Sequence, residues 1–558
     1  MPPNRHPHPP IDPVGAHPAP ARDLSAAAVR NHPDEAAVVT DPRRQRMILI
    51  SMCIALVAVI ASVSGLNVAQ GDLARSLHAS QSSLLWIING YTITLAALLM
   101  PIGAIGDRWG RKPVLLTGLA VFTVANVIAA TATSTGVMLV ARILAGGGAA
   151  MIMPVTLSVI TSSFPAHERA KAVGVWAGFA GAGGILGLFF SSAMVDWFTW
   201  PWVFAMPILL SGVSFALTLR FVGNSREDHG GRFDVVGSVV SALAIGGLVL
   251  AVQEGPDRGW GAPLTLTALV VGVLALVGFV VWELRQEHPL LDVRLFANRS
   301  LTGGSVNLMI VFAVISGLFL VLIQFLQAVL GFSALRASAG LLPMALVMMP
   351  LSTLAPRIAA RFGIRNTLIG GTAVFGVGLA LLASMASAER GYLSILPGLL
   401  ILGAGIGVAM TPSTTAITEA LPAEKQGVAS ALNDTARELG GALGVALLGS
   451  VLNSGYRSGI ASTTSSLPAA IQGPINQGIG SALAASAQLG ADGARVATAA
   501  RDAFVDGWRT SMWVGVAMAT AAVVFLVVRG PLATDHDDVL DDSFDADSLD
   551  ELLEPAVG

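Results

Sequence analysis

The chain has 558 residues, of which 54% are hydrophobic and only 12% charged, about half the charged share usual in soluble globular domains. With a mean hydropathy of +0.71 this excludes a soluble enzyme, and a net charge of -3 leaves no basic excess for nucleic acid. The apolar residues come in blocks of roughly 20, the length that crosses a hydrocarbon layer about 30 Å thick, so the expected fold class is an all-α polytopic membrane protein. The single cysteine, Cys53, lies in the first such block and cannot form an internal disulfide.

In chain order, residues 1–45 are rich in Pro, His and Ala and contain no apolar run, which reads as a disordered cytoplasmic tail and not a cleaved signal peptide. The irregular spacing of His6, His8, His17 and His32 in that tail reads as solvated rather than metal-binding. Spans then start near Met47, Leu84, Val114, Val137, Ala172, Trp202, Val235, Leu264, Leu301, Ala339, Thr367, Leu393, Val428 and Trp508, about 14 transmembrane helices. This count puts Arg43, Arg44, Arg108, Arg111, Lys112, Arg169, Lys171, Arg232, Arg361, Arg365, Lys425 and Arg529 among the residues of the inner junctions. The short outer loops hold only Arg75, Arg258, Arg336 and Arg390. Cytoplasmic loops hold the excess of Lys and Arg, so both termini are expected in the cytoplasm. Between spans 13 and 14, residues of about 453–506 are rich in Ser, Ala, Gly and Gln and read as a long outer loop, too polar to span and open to partial helix. An acidic cytoplasmic tail fills 531–558.

An internal repeat organises the rest. G-D-R-W-G-R-K-P-V-L-L-T-G (Gly106 to Gly118) after span 2 aligns with A-A-R-F-G-I-R-N-T-L-I-G-G (Ala359 to Gly371) after span 10, so that Arg108 meets Arg361, Gly110 meets Gly363 and Lys112 meets Arg365. After span 4, I-T-S-S-F-P-A (Ile160 to Ala166) aligns with I-T-E-A-L-P-A (Ile417 to Ala423), and Pro154 has its counterpart near Pro412. The expected domains are a six-helix bundle over 46–222, two inserted helices with linkers over 223–300, and a second six-helix bundle over 301–530. Eight spans separate equivalent positions, so the halves insert in the same orientation, the parallel repeat of transporters that rock two bundles about a central site. A channel needs a continuous polar lining, and an intramembrane enzyme needs His and carboxylates within its spans; the sequence has neither pattern, which argues for a transporter and against an enzyme.

G-A-I-G-D-R-W-G-R-K-P-V-L (Gly103 to Leu115) resembles the loop signature of the major facilitator superfamily, in the place between spans 2 and 3 where that family carries it. With W-I-I-N-G-Y (Trp86 to Tyr91), G-P-D-R-G-W-G (Gly255 to Gly261) and S-A-L-N-D-T-A-R-E-L-G-G-A-L-G (Ser430 to Gly444), the chain resembles the 14-span drug:proton antiporter branch from roughly Arg46 to Arg529. The resemblance implies multidrug efflux across a bacterial inner (plasma) membrane, driven by a proton gradient and using no bound cofactor or metal. In the gating loop of Gly103, Asp107, Arg108, Gly110, Arg111 and Lys112, Asp107 is expected to accept hydrogen bonds from Arg111 and from the first amides of a neighbouring span, closing the cytoplasmic side in one conformation. The glycines permit close backbone approach. Arg142, in L-V-A-R-I-L-A-G-G-G-A-A of span 4, corresponds to an arginine the family associates with proton transfer. A lone arginine there costs about 2.5–3.5 kcal/mol even on a permissive scale and should face a cavity or an internal partner. Gly146 beside it, and Gly183 and Gly187 in span 5, are assigned to helix packing.

The chain also departs from that branch. Ser62 stands where the span 1 aspartate is expected, Ala145 where span 4 usually has glutamine, Leu188 for the span 5 proline, Ser191 and Ser192 for its last two glycines, and Pro201 for an arginine. Proton coupling then needs another buried acid. Asp434, Arg437 and Glu438 of span 13 occupy i, i+3 and i+4 on one helix face, where Arg437 can neutralise one carboxylate and leave the other to bind a proton. A salt bridge locking the inner gate is the alternative reading of the three. Candidate cavity residues are Asn67, Trp86, Asn89, Tyr91, Met151, Gln324 and Asn433, in a mostly apolar lining that suits a bulky hydrophobic small molecule, drug or lipid-like, better than a sugar or inorganic anion. A facilitator of a polar metabolite and a non-transporting sensor are the alternatives. Membrane lipids are the only other partner expected, around a monomer.

Overall fold

The computed structural model describes residues 38–226, 233–465, 467, 469–489 and 493–531, and fourteen helices among them are long and apolar enough to cross a membrane. Spans 1 to 6 are Pro42–Ser76, Ser82–Trp109, Arg111–Ala130, Thr135–Ser163, Ala166–Trp197 and Trp200–Phe221. Spans 7 and 8 are Val235–Pro256 and Pro263–Glu283. Spans 9 to 14 are Arg299–Val329, Ala334–Phe362, Ile364–Met385, Leu396–Glu419, Gln426–Thr464 and Gly493–Arg529. No strand occurs among the described residues. The tail calls over 1–37 and 532–558, with their histidines and acids, and the inner-side Arg232 lie outside the described residues.

Two boundaries differ from expectation. Pro42 to Gln45, assigned above to the tail, form the first turn of span 1: Pro42 sits at a position whose N–H has no helical partner, and Asp41 caps the turn by accepting from the Arg43 amide at 3.0 Å. The outer segment, open to partial helix in the sequence, is helical over most of its described length. Span 13 runs on to Thr464, short helices Ala469–Gln477 and Ile479–Ser486 follow, and the last helix begins at Gly493. Its overall polarity hides a helical stripe in which Tyr456, Ile460 and Thr464, four residues apart, are buried. The Tyr456 hydroxyl donates to the Ile475 carbonyl at 3.0 Å, and Ile475, Ile479 and Val496 complete that apolar face.

The packing repeats with the sequence. Span 1 packs on spans 5 and 6, span 2 on span 4, and span 3 on spans 4 and 6; span 9 packs on spans 13 and 14, span 10 on span 12, and span 11 on spans 12 and 14. The loops that carry the repeat have the same construction. Gly110 (φ +108°) and Gly363 (φ +81°) each join two spans through a backbone conformation that side chains with a Cβ rarely adopt. Two residues on, Lys112 donates to the Leu219 carbonyl at the end of span 6 at 3.1 Å, and Arg365 donates to the Val527 carbonyl at the end of span 14.

Between the halves the contacts are again equivalent: span 5 meets spans 10 and 12, and span 13 meets spans 2 and 4. Spans 7 and 8 pair with each other, and span 7 docks on spans 2 and 13. Span 8 turns Val270, Leu274 and Val277 outward, as a helix bordered by lipid must. With an even number of spans, the start of span 1 and the end of span 14 fall on one side, the terminal face, which also carries the ends of spans 2 and 10 and the start of span 13.

Candidate functional site

At the terminal face the two halves are latched by one carboxylate. Span 2 ends with Asp107, 1% exposed, and span 13 starts beside it with the unpaired amides that every helix N-terminus presents. The Gly427 amide donates to both Asp107 oxygens at 2.8 Å, and the Val428 amide donates to Oδ2 at 3.2 Å. Arg111, fully buried at the start of span 3, donates to Oδ1 from Nη2 at 2.9 Å and from Nε at 3.3 Å. The negative charge thus sits on the positive end of the span 13 dipole and against a cation, two favourable terms in a dry setting. Close approach is what the glycines supply: a Cβ on Gly103 would lie 2.5 Å from the Gly427 carbonyl oxygen and 2.8 Å from the Ala431 Cβ. A Cβ on Gly110 would meet the Asn224 Oδ1 at 2.7 Å. Arg108 is partly buried on the same turn.

The inserted pair reaches this latch. Lys425, one residue before span 13, donates to the carbonyl of Pro289 in the linker after span 8 at 2.8 Å. Burial holds its amine below the ordinary lysine value, partly offset by the neighbouring Glu283, Asp292 and Asp107 charges.

Deeper in span 13 lie the three charged residues at helical spacing. At 1.5 Å rise per residue, Asp434 is about 12 Å and Glu438 about 18 Å beyond Gln426. Asp434 is fully buried, and its Oδ1 accepts from Arg437 Nη1 at 3.2 Å and from Asn433 Nδ2 at 3.3 Å. Its Oδ2, the Asn433 Oδ1 and the Arg437 Nε have no hydrogen-bond partner. Arg437 is held between rings from both halves, 5.6 Å from the centroid of Trp176 on span 5 and 4.5 Å from that of Phe312 on span 9. Trp176 is fixed in turn by donating to Thr156 of span 4 at 3.2 Å. The arginine is therefore committed to Asp434, while the partly buried Glu438 has Arg437, Asp434 and, from span 2, Tyr91 as its charged or titratable neighbours.

Tyr91 connects this centre to span 4. Its ring carries the Arg142 guanidinium 4.3 Å above its centroid, and its hydroxyl donates to the Val59 carbonyl at 3.2 Å. Arg142, 1% exposed, donates from Nη1 to the Ser62 hydroxyl at 3.0 Å, and that hydroxyl donates to Asn126 Oδ1 at 3.1 Å. Ser62 thus occupies the place, opposite the arginine, that the absent span 1 acid was expected to fill. Gly146 lets span 4 approach: a Cβ there would be 2.5 Å from the Tyr91 carbonyl oxygen. Gly187 does the same for span 5, with a Cβ 2.8 Å from the Ala61 Cα, and Gly183 faces Ile60 at 3.3 Å.

The remaining cavity candidates do not converge with these. Asn89 donates to Glu254 of inserted span 7 at 3.3 Å, and Met151 packs on Gly118 of span 3. Asn67 is exposed at the far end of span 1, and Trp86 lines a cavity of about 210 Å³ with Ser82 and Thr135 toward that same end. Gln324 is partly buried in span 9. Sequence reasoning missed Glu254, which is 1% exposed and paired with Arg258 while accepting from Asn89. Its signal was present in the charge pair four residues apart at the end of an apolar span.

Two like bundles with a latch at one face and buried charges where they meet define a secondary transporter that works by alternating access. Residues 51–445 match the Major Facilitator Superfamily, and the chain belongs to that family. The Multidrug efflux pump LfrA of Mycolicibacterium smegmatis is 33% identical over 464 residues, covering 82% of this chain and 91% of that protein. The Multidrug resistance protein Stp of Mycobacterium tuberculosis is 30% identical over 405 residues, covering 72% and 75%. Among solved structures, the proton:xylose symporter XylE aligns with a TM-score of 0.58 at 14% identity over 88% of this chain and 96% of that one, a likeness of fold.

Proposed function

We propose that the chain exports a hydrophobic or amphiphilic drug or antibiotic across a bacterial inner membrane in exchange for protons, as a monomer with both termini, and hence the terminal face, in the cytoplasm. Relatives named as multidrug efflux and resistance proteins support the substrate class, and the lysine and arginine bias of the terminal-face loops supports the orientation. The carrying observation is the Asp434, Arg437 and Glu438 group at the meeting of the two halves, with rings of both halves on the arginine. A carboxylate there binds a proton in one conformation and releases it in the other, because its hydration and its distance from Arg437 change as the halves separate. The latch at Asp107 holds the cytoplasmic face shut in the conformation described here, and proton binding at span 13 biases the equilibrium toward its release.

A second reading, export without protons, is favoured by Ser62 in place of the span 1 acid. Substrate uptake into inverted vesicles separates the two. Proton exchange predicts accumulation under an imposed pH gradient, inside acid, and its loss when the gradient is collapsed with membrane potential held at zero. Uptake indifferent to the gradient would establish the second reading.

A further inference from the structure

The two ends of the inserted pair meet through two carboxyl groups. Asp234 caps the start of span 7 and Glu283 closes the end of span 8, and a Cβ on Gly237 would fall against both Asp234 Oδ2 and Glu283 Oε1. The two acids lie within hydrogen-bonding reach of each other. Asp234 is well supplied with donors: its Oδ1 accepts from the Gly237 amide at 2.7 Å, and the Trp282 indole N–H lies 3.0 and 3.1 Å from its two oxygens. Glu283 is 1% exposed; its Oε2 accepts from the Leu291 amide at 3.3 Å, and its buried Oε1 has no donor. Two carboxylates in contact do not both stay ionised in a dry setting, and one proton between them turns repulsion into a charge-assisted hydrogen bond. The donors already present place that proton on Glu283 Oε1, from which it is donated to Asp234 Oδ2.

The residues next to this pair grip the latch from both halves. Phe233, beside Asp234, packs its ring on Trp109 at the end of span 2, with centroids 5.3 Å apart. Glu283 pins the Leu291 amide, and the same linker gives its Pro289 carbonyl to Lys425, two residues before the Gly427 amide that holds Asp107. The Lys425 amine, directed to that carbonyl, is the cation that span 13 brings near Glu283, and it also feels Asp292 and Asp107. In the linker, Asp292 accepts from the Arg294 amide at 3.0 Å and Arg294 donates to the Leu284 carbonyl at 3.1 Å, while Arg285, Glu287 and His288 are exposed. We propose that Asp234 and Glu283 form a proton-binding site on the terminal face, separate from the acids of span 13, whose single shared proton holds the inserted pair against the latch. When that proton leaves, two adjacent negative charges part the start of span 7 from the end of span 8, and Phe233 and Pro289 are drawn away from Trp109 and Lys425. The clasp is therefore held at low pH and released as pH rises. With the terminal face in the cytoplasm, as the previous subsection reads it, an acid cytoplasm keeps the latch shut and limits proton entry through the transporter itself.

The test combines pH-difference infrared spectroscopy with a spin-label distance on the purified full chain, in a Cys53→Ala, Asp434→Asn, Glu438→Gln background that removes the span 13 acids. Labels go on Arg43→Cys and Phe362→Cys, exposed positions at the start of span 1 and the end of span 10. Raising the pH from about 5 to about 9, the range in which buried carboxyl groups with raised pKa values ionise, should remove one protonated-carboxyl band and shift the distance from short to long. Glu283→Gln, whose amide N–H stands in for the shared proton, should lack that band and keep the short distance at every pH. Asp234→Asn, which offers Glu283 an amide donor, should move the loss of the band to lower pH and likewise abolish the lengthening. A distance indifferent to pH in the background chain, a lengthening that survives in both variants, or the same band in Glu283→Gln would overturn the proposal. Because the span 13 acids are absent throughout, a failure of proton-coupled export leaves these readouts intact, and the two claims fail separately.

Discussion

Replacing Asp107 by asparagine should open the terminal face. The carboxylate accepts three amide contacts from Gly427 and Val428 and two contacts from Arg111, all at 3.3 Å or less, and it is 1% exposed. Breaking a buried ionic contact by removing one partner costs about 3–5 kcal/mol. Asparagine keeps one oxygen for the span 13 amides, so roughly half of this, about 2 kcal/mol, is the expected loss specific to the latched conformation. That lowers the ratio of latched to unlatched molecules about 30-fold, at 1.4 kcal/mol per tenfold. The assay is a spin-label distance between Trp109→Cys and Phe362→Cys, exposed residues that end spans 2 and 10 on the terminal face, in a Cys53→Ala background that removes the single native cysteine. The wild type should give mainly the short distance and Asp107→Asn a mixed or mainly long one. A distribution unchanged by the substitution would show that the carboxylate contributes nothing to closure.

Gly427→Ala should act in the same direction, because the added methyl would lie 2.6 Å from Asp107 Oδ1 and closer still to the Gly103 carbonyl; combined with Asp107→Asn in the same spin-label pair, the two effects should fall short of additive, since both act on one contact. Glu438→Gln should leave drug exchange between equal concentrations running while removing accumulation driven by a pH gradient, and retained accumulation would exclude that residue. Asp434→Asn tests the other carboxylate, and intact export with an unchanged pH dependence in proteoliposomes would exclude it. Glu254→Gln should lower the thermal stability of the purified protein by about 1–3 kcal/mol by weakening a buried charged contact to Arg258 and Asn89, without altering the pH dependence of transport; an unchanged Tm would show that span 7 does not depend on it.

The features legible in the sequence are those encoded locally or by repetition. Charge clusters at one side of successive apolar blocks, and a loop repeated after spans 2 and 10, were enough to place fourteen spans. The resemblance of its loop to the family signature implied a helix-start contact for Asp107, which the glycines around it permit. The extent of the helical stretch before span 14 was hidden because a hydropathy threshold discards Ser- and Ala-rich sequence whose buried stripe is only one residue in four, as at Tyr456, Ile460 and Thr464. Contacts made by distant segments left no local trace: Trp176 and Phe312 on Arg437, Glu254 on Asn89, and Lys425 on Pro289. Asn89 reads as a cavity residue in the sequence because nothing local shows that span 2 also meets the inserted pair, where its amide donates to Glu254. The substitution of Ser62 for an acid was visible at once, but that it leaves Arg142 with an unpartnered nitrogen became visible only in three dimensions.

The central claim is that acids of span 13 exchange protons for drug. It is tested most directly by recording drug uptake and internal pH together in proteoliposomes loaded with a pH-sensitive dye, for the wild type and for Asp434→Asn combined with Glu438→Gln. The account predicts that drug entering through wild-type molecules whose cytoplasmic face points outward raises internal pH in proportion to uptake, and that the double variant moves drug only down its own gradient with no pH change. A drug-dependent pH change of wild-type size in the double variant would contradict it.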